Sequence, residues 1–180
     1  MNTPLRCGGA PEWLRELAAA RTHHEEMFGW PVTIEVGRQV LAAPVGGVLD
    51  AVTMPAALGA KVLAELQLMM RVGPVLATPD NAFWTFFTQP VAEPRRDVPA
   101  ELRDLQIHPI PRGAHVVIPT HTNSDSALRW IKPPQPHRPS PPWSVVIGIT
   151  RRVAAQLLGN EPAVNTALDA TEDRRMLIAS

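Results

Sequence analysis

The sequence predicts a single α+β domain in which helices flank a mixed or antiparallel sheet. At 180 residues, with 45% apolar side chains, the chain is long enough and apolar enough to bury one sizeable core. Between residues 43 and 90 it also joins an apolar strand, a one-sided helix and a hairpin without a proline-rich interruption. The remaining segments are expected to cover this central unit.

Before the central unit, the sequence predicts a helix and two strands. Residues 1–10 have the composition of a flexible terminus, and a helix is predicted over residues 11–27. The Gly-Trp-Pro sequence at 29–31 ends this helix. Two strands are then predicted over 32–36 and 39–43.

In the central unit, a strand leads into an amphipathic helix. Residues 48–52 form a short apolar run around one carboxylate, Asp50, which we expect to be buried. Pro55 suits the first turn of the helix, because its missing amide donor would be unpaired there. Apolar residues then recur at three- and four-residue spacing, which predicts one buried side: Leu58, Val62, Leu63, Leu66 and Met70. Gly73-Pro74 is expected to end the helix.

A hairpin and several shorter elements follow the helix. Strands over 75–77 and 83–87 flank the strong turn formers at 78–81. Further elements are predicted in this order: a short helix over 99–105 and strands over 107–110, 115–118 and 127–131, the last two paired with each other.

Composition changes sharply after this point. Six prolines fall within residues 132–143, which predicts an extended, polyproline-like segment that wraps over the surface. Residues 144–158 fit a strand by their β-branched side chains and a helix by their apolar spacing. The helix is favoured because the pattern continues without a breaker. The domain is therefore predicted over residues 11–158, with a poorly ordered tail over 159–180.

Charge and cysteine content limit the classes of partner and location. Seventeen basic and seventeen acidic residues balance, so a binder of polyanions would need a local patch. The single cysteine, Cys7, excludes an internal disulfide, and no apolar stretch approaches the ~20 residues that span a bilayer. Because the start lacks a signal-peptide pattern, the expected location is the cytoplasm, without membrane association.

Isolated motifs indicate little chemistry. The sequence HHEE at 23–26 has metal-ligand residue types, but neighbours on a helix point about 100° apart, so we expect a solvated helix end. Cys7 lacks a second Cys or His at metal-ligand spacing. His115 and His121 flank a predicted strand and its polar exit loop, where they suit either a phosphate contact or a structural role. The aromatic run at 83–87 is more typical of a core strand than of a base-stacking platform.

The order of three segments is more informative than any single motif. TPDNAFWTFF at 78–87, PRGAHVVIPT at 111–120 and ALRWIKPP at 127–134 follow a strand and a long helix. This order resembles the primase-polymerase domain of the archaeo-eukaryotic primase superfamily, specifically its bifunctional DNA primase/polymerase N-terminal family. It is also similar to the short, stand-alone actinobacterial versions. The resemblance covers roughly residues 14–157.

The resemblance also shows where catalytic residues should lie. In that family two acids of a D-x-D motif bind two divalent ions, a histidine contacts the incoming nucleotide, and a third acid precedes an Arg-Gly pair. The matching positions lack these groups: Thr53 and Pro55 for the D-x-D acids, Trp84 or Phe83 for the histidine, and no Asp or Glu between positions 104 and 125. Asp50 is the only acid left near the D-x-D position.

The resemblance therefore implies a primase-polymerase-like domain without metal chemistry, which binds a nucleotide or single-stranded nucleic acid or regulates DNA transactions. Arg112, His115, His121 and Arg129 are expected to line its groove near Asp50. No cofactor is expected. Two alternatives stay open. One is a protein-interaction module that uses the proline-rich strip at 133–142. The other is an active nucleotidyltransferase, which would require Mg²⁺ or Mn²⁺ and acids that the motifs do not reveal.

Overall fold

A computed structural model of the chain describes residues 10–92, 97–120 and 128–159. In these ranges the structure contains four helices and two antiparallel sheets, which confirms the predicted single α+β domain. The helices are α1 (Glu12–Phe28), α2 (Ala56–Leu68), α3 (Ala100–Arg103) and α4 (Trp143–Gly159). The strands are β1 (Thr33–Glu35), β2 (Val40–Pro44), β3 (Asp50–Pro55), β4 (Val75–Ala77), β5 (Phe83–Thr88), β6 (His108–Pro109), β7 (His115–Ile118) and β8 (Arg129–Lys132). Cys7, the predicted flexible terminus except residue 10, and the predicted tail beyond residue 159 lie outside the described residues.

The strands form a larger and a smaller sheet. The larger has the order β6-β3-β5-β4-β8, and β3 pairs with β5 over all six residues, from Asp50↔Thr88 to Pro55↔Phe83. The smaller has the order β1-β2-β7. The predicted hairpin is confirmed as β4 and β5, which pair antiparallel across the turn at 78–81.

Both faces of the five-stranded sheet are buried, each against its own apolar core. Neighbouring residues of a strand point to opposite faces. Val52 and Phe86 accordingly pack into the core beneath helices α2 and α4. Ala51 and Phe87 pack into the core that helix α1 and the three-stranded sheet complete. This double burial explains why β3 and β5 are nearly continuous apolar runs.

Helix α2 buries the predicted apolar side, but it ends at Leu68 instead of continuing to the predicted stop at Gly73-Pro74, and the positions of Met70 and Pro55 also differ from the prediction. Its buried residues include all of the predicted set except the last: Leu58, Val62, Leu63 and Leu66. Met70 lies beyond the helix with a positive φ of 53°, and its side chain is 80% exposed instead of buried. Pro55 is the last residue of β3 and precedes the helix, where its missing N–H still leaves no helical hydrogen bond unmade.

Two predictions for the C-terminal third have opposite outcomes. Residues 144–158 form helix α4, as their apolar spacing favours. The predicted pairing of residues 127–131 with 115–118 is wrong, because β8 pairs with β4 and β7 pairs with β2. The ring of Trp130 lies 5.8 Å from that of Phe87, so aromatic packing holds β8 on the larger sheet.

The proline-rich segment is not wholly a surface strip. Pro134 and Pro141 are buried. The carbonyl of Pro141 accepts a hydrogen bond from Gln89 N–H at 2.9 Å, and its ring packs on Gly73, where a Cβ would collide with it. A positive φ at His137 interrupts the extended backbone. None of the described helices combines the length and the hydropathy needed to cross a membrane.

Candidate functional site

Strand β3 carries two groups of polar residues, one at each end. Asp50 is its first residue, and Thr53 lies three residues further on. At about 3.3 Å per residue the two Cα positions are about 10 Å apart. Because the separation is an odd number of residues, their side chains point to opposite faces of the sheet.

At the first end, Asp50 forms a buried ion pair. Its side chain is 0% exposed, and Asp50 Oδ2 accepts a hydrogen bond from Val91 N–H at 2.9 Å. Arg112 Nη2 lies 3.6 Å from the same carboxylate oxygen. Arg112 also donates to the carbonyl oxygen of Val91. The guanidinium and the carboxylate therefore tie the same segment, after β5, to the start of β3.

The turn before Asp50 is shaped to hold Arg112. Gly46 has a φ of 106°, and a Cβ at this position would lie 2.6 Å from Arg112 Cγ. The aliphatic part of the arginine thus lies directly on the Gly46 backbone. Hydrogen bonds from Gly113 N–H to Val45 O and from Val45 N–H to Ala114 O, both 2.9 Å, join the two turns. Only glycine can fill this position without displacing the arginine.

The predicted groove residues do not lie together. Arg112 and His115 flank the same turn, and His115 is exposed on β7 opposite Pro44. Arg129 lies at the other end of the larger sheet, opposite Ala77, which itself pairs with Trp84. Trp84 and the residue opposite Asp50 are four positions apart on β5, or about 13 Å. His121 lies outside the described residues.

At the second end of β3, three distant segments meet. Thr53 is paired with Thr85 of β5 on one side and with His108 of β6 on the other. The Oγ1 atoms of the two threonines are 3.1 Å apart. Phe83, half-buried, is opposite Pro55 in the next row on the same face. These are the segments that the resemblance matches to the D-x-D motif, to the histidine and to the region before the Arg-Gly pair.

The side chains at this end do not fit the two divalent ions that the resemblance implies. Mg²⁺ and Mn²⁺ prefer carboxylate oxygens, whereas this end offers two hydroxyl groups and an imidazole. Across residues 10–92, 97–120 and 128–159, no three His, Cys, Asp or Glu side chains are placed to share a metal ion. The end can donate hydrogen bonds, but it lacks the charge to hold two cations.

The turn between β4 and β5 is held by side-chain hydrogen bonds and positions Arg129. Asp80 accepts hydrogen bonds from Thr78 Oγ1 at 2.6 Å and from Ala82 N–H at 3.0 Å. The Thr78 hydroxyl first and the Ala82 amide second lower the pKa of Asp80 below its usual value. Asn81 Oδ1 accepts from Arg129 Nη2 at 3.1 Å, so the guanidinium is held beside the turn.

Two sets of residues were misjudged or missed from the sequence. The HHEE motif is not a fully solvated helix end, because His24 is 3% exposed and its Nε2 lies 3.4 Å from Pro119 O. His108 and Asn81 were missed as site residues. Only the pairing of β6 with β3, which no local pattern reveals, places His108 opposite Thr53.

No protein-family model, curated protein or solved structure matches this chain.

Proposed function

We propose that this chain is a primase-polymerase-like domain without metal-dependent catalysis, which binds single-stranded nucleic acid or a nucleotide. The main support is the meeting of residues 53–55, 83–85 and 108–109 on the adjacent strands β3, β5 and β6. The resemblance matches these three segments to parts of one catalytic centre. Similarity in the order of segments does not by itself bring these three segments together in space, so their meeting is an additional observation.

The absence of catalysis follows from the residue types at these positions. The family's metals stabilise the charge of the transition state, so each lost acid normally lowers the rate by orders of magnitude. Asp50 does not replace them, because it points to the opposite face and is bound to Val91 N–H and beside Arg112. The second end of β3 is therefore proposed as a binding surface only.

The remaining groups suit a sugar-phosphate backbone and a base. His108 is exposed, and the hydroxyl of half-buried Thr53 can donate to phosphate or ribose oxygens while it accepts from buried Thr85. Half-buried Phe83 offers a ring on the same face for stacking with a base. Arg129 does not belong to this set, because it is opposite Ala77 in the row of Trp84 and therefore points to the other face of the sheet. This set favours binding without base-specific readout.

Binding of this kind should be weak and sensitive to salt. The chain has no net charge, so only local cations attract a phosphate backbone. With one or two cations engaged, the slope of log affinity against log salt is expected to be about −0.7 to −1.4.

The direct test is fluorescence anisotropy with a labelled oligothymidylate of about 12 nucleotides and, separately, with a labelled nucleoside triphosphate. Each is titrated at about 50 mM and about 200 mM salt, with and without Mg²⁺ or Mn²⁺. Affinity should fall with salt and ignore the metal. Metal-dependent binding of the triphosphate would contradict the loss of catalysis, and no binding of either probe would contradict the whole proposal.

Matched variants locate the binding surface. His108→Gln should weaken oligonucleotide binding about fivefold, the value of one hydrogen bond of about 1 kcal/mol, whereas Arg129→Gln, on the other face of the sheet, should leave it unchanged. His23→Gln and Arg15→Gln make the same changes at exposed positions of α1 and should leave affinity unchanged. A loss as large in Arg129→Gln, His23→Gln or Arg15→Gln as in His108→Gln would show that binding is not confined to this face.

A further inference from the structure

Three consecutive large apolar side chains are exposed at the end of helix α2. Leu68 is 80% exposed, Met69 49% and Met70 80%. Single exposed apolar residues are ordinary, but a contiguous apolar patch more often marks a contact surface. Methionine side chains are flexible and polarisable, and they are common where a surface adapts to a partner.

The proline-rich segment lies beside these residues and forms a depression with them. Arg138 Nη2 donates to the carbonyl of Met70 at 3.1 Å, which fixes the segment to the end of α2. The depression has a volume of about 170 Å³ and is lined by Met70, Arg71, Val72 and Gln89 on one side and by residues 138–142 on the other. We name residues 68–71 and 138–142 the α2–proline surface.

The charged side chains of this surface are all basic. Arg71 and Arg138 line the depression, and Lys132 lines an adjoining one with Arg138. Among the described residues that line either depression, none is acidic. The nearest acid on α2 in sequence is Glu65, whose carboxylate is paired with Arg152 at 2.8 Å. An occupant with negative charge is therefore favoured.

The backbone of the surface offers few hydrogen-bond donors. Pro139, Pro141 and Pro142 have no N–H. The N–H groups of Met69, Met70 and Arg71 already donate to Glu65 O, Gln67 O and Leu66 O. A partner strand would leave its own carbonyl groups unpaired here, whereas a helix satisfies its backbone internally.

We propose that the α2–proline surface docks an acidic amphipathic helix of a protein partner. Leucine-type side chains of that helix cover Leu68 and Met70, and its carboxylates face Arg71 and Arg138. Exposed aliphatic side chains favour a protein over nucleic acid, which is bound mainly through phosphates. The thirteen residues of α2 separate this surface from the Thr53 end of β3 by about 20 Å, so the two surfaces are independent.

The test uses two synthetic peptides of about 16 residues with leucines at helical spacing, one with glutamates and one with lysines at the other positions. Binding to the full chain is measured by anisotropy. The glutamate peptide should bind at least about tenfold more tightly than the lysine peptide. Leu68→Ser and Met70→Ser should each weaken it about tenfold, and Arg138→Gln several-fold.

Val36→Ser and Arg15→Gln are the matched controls, since Val36 is 59% exposed between β1 and β2 and Arg15 is exposed on α1. Both should leave peptide binding unchanged, and melting temperatures verify that every variant is folded. Equal affinity for both peptides would overturn the proposal, as would affinity indifferent to Leu68→Ser and Met70→Ser. Self-association of the chain would also overturn the proposal if Leu68→Ser and Met70→Ser abolish it. Loss of oligonucleotide binding in the same two variants would assign the surface to nucleic acid instead.

Discussion

The two ends of strand β3 share one backbone conformation but differ in chemistry. At the first end, a fully buried carboxylate lies beside an arginine and bonds to a backbone amide. At the second, two hydroxyl groups face each other next to an exposed histidine. The difference shows that an acid close to a motif position in the sequence need not share its site in the fold. Side chains three residues apart on a strand point to opposite faces of the sheet. Asp50 therefore cannot take the place of an acid at the position of Thr53.

This comparison separates a structural end from the end that is proposed to bind ligands. Burial makes the first end costly to change, because an unpaired charge or amide would remain in the core. At the second end Thr85 is buried, but Thr53 is half-buried and His108 is exposed, so substitutions of these two residues should affect ligands more than stability. The following predictions test that division, beginning with the largest expected effect.

Replacement of Asp50 should produce the largest loss of stability. Asp50→Ala leaves Val91 N–H unpaired and removes the partner of Arg112. Breaking a buried ion pair costs about 3–5 kcal/mol, but the Arg112 side chain is 37% exposed and can turn to water, so we expect about 2–3 kcal/mol. Urea denaturation measures this difference in the free energy of unfolding.

Asp50→Asn is the control for charge. It keeps an oxygen acceptor for Val91 N–H and loses only the ion pair, so its loss should be smaller than that of Asp50→Ala. If both variants unfold at the wild-type urea concentration, Asp50 has no structural role, and a functional role for the first end would have to be reconsidered.

Gly46→Ala should destabilise the same end by about 1–3 kcal/mol. The new Cβ would lie 2.6 Å from Arg112 Cγ, at a φ of 106° that alanine rarely adopts. Gly47→Ala is the control, because a Cβ there meets nothing within 4 Å. Both Gly46→Ala and Asp50→Ala disturb Arg112, so their combined effect should be less than additive. Additive losses would separate Gly46 from the ion pair.

The Thr53–Thr85 pair should contribute less to stability than the ion pair. Thr85→Val removes one side of the 3.1 Å contact and should cost about 1 kcal/mol. The double variant Thr53→Val/Thr85→Val should be nearly as stable as the wild type, since no hydroxyl is left without its partner. Urea denaturation of the four proteins in the cycle measures the coupling. A double variant less stable than both single variants would disprove the coupling between the two threonines.

Asp80 should give the smallest effect, visible in the dependence of stability on pH. The pKa of Asp80 is lowered in the folded state by Thr78 and Ala82, so its ionised form stabilises the fold above the unfolded pKa of about 3.9. That contribution is lost as pH falls through the lowered value. The melting temperature of Asp80→Ala should therefore lie below that of the wild type near neutral pH, and the gap should close in acid. A gap that is constant with pH would contradict this assignment.

Local patterns were sufficient to predict the elements of the central unit, although not the end of helix α2 at Leu68. The turn formers at 78–81 and the apolar spacing of α2 each act within a few residues, so both were correctly predicted. The predicted burial of Met70 is wrong, because its backbone adopts a left-handed conformation just after the helix, which the residue type does not indicate. Asp50 was correctly expected to be buried.

The arrangement of the site was less accessible, because it depends on long-range pairing. Arg112 was expected to contact a nucleotide, yet its guanidinium lies against Asp50 and Val91, both far away in the sequence. Likewise, His108 reaches the row of Thr53 only because β6 adds to the edge of β3. Which strands pair depends on packing across both faces of the sheet. The sequence of one segment alone does not predict that packing.

The most direct measurement of the division between the two ends is an amide NMR titration of the full chain with an oligothymidylate in the absence of metal. Thr53, Phe83, Thr85 and His108 report on the second end of β3, whereas Asp50, Val91 and Arg112 report on the first. Binding at the proposed surface predicts dose-dependent shifts in the former group and little change in the latter. Shifts confined to the Asp50 end, or none at either end, would contradict the proposed function.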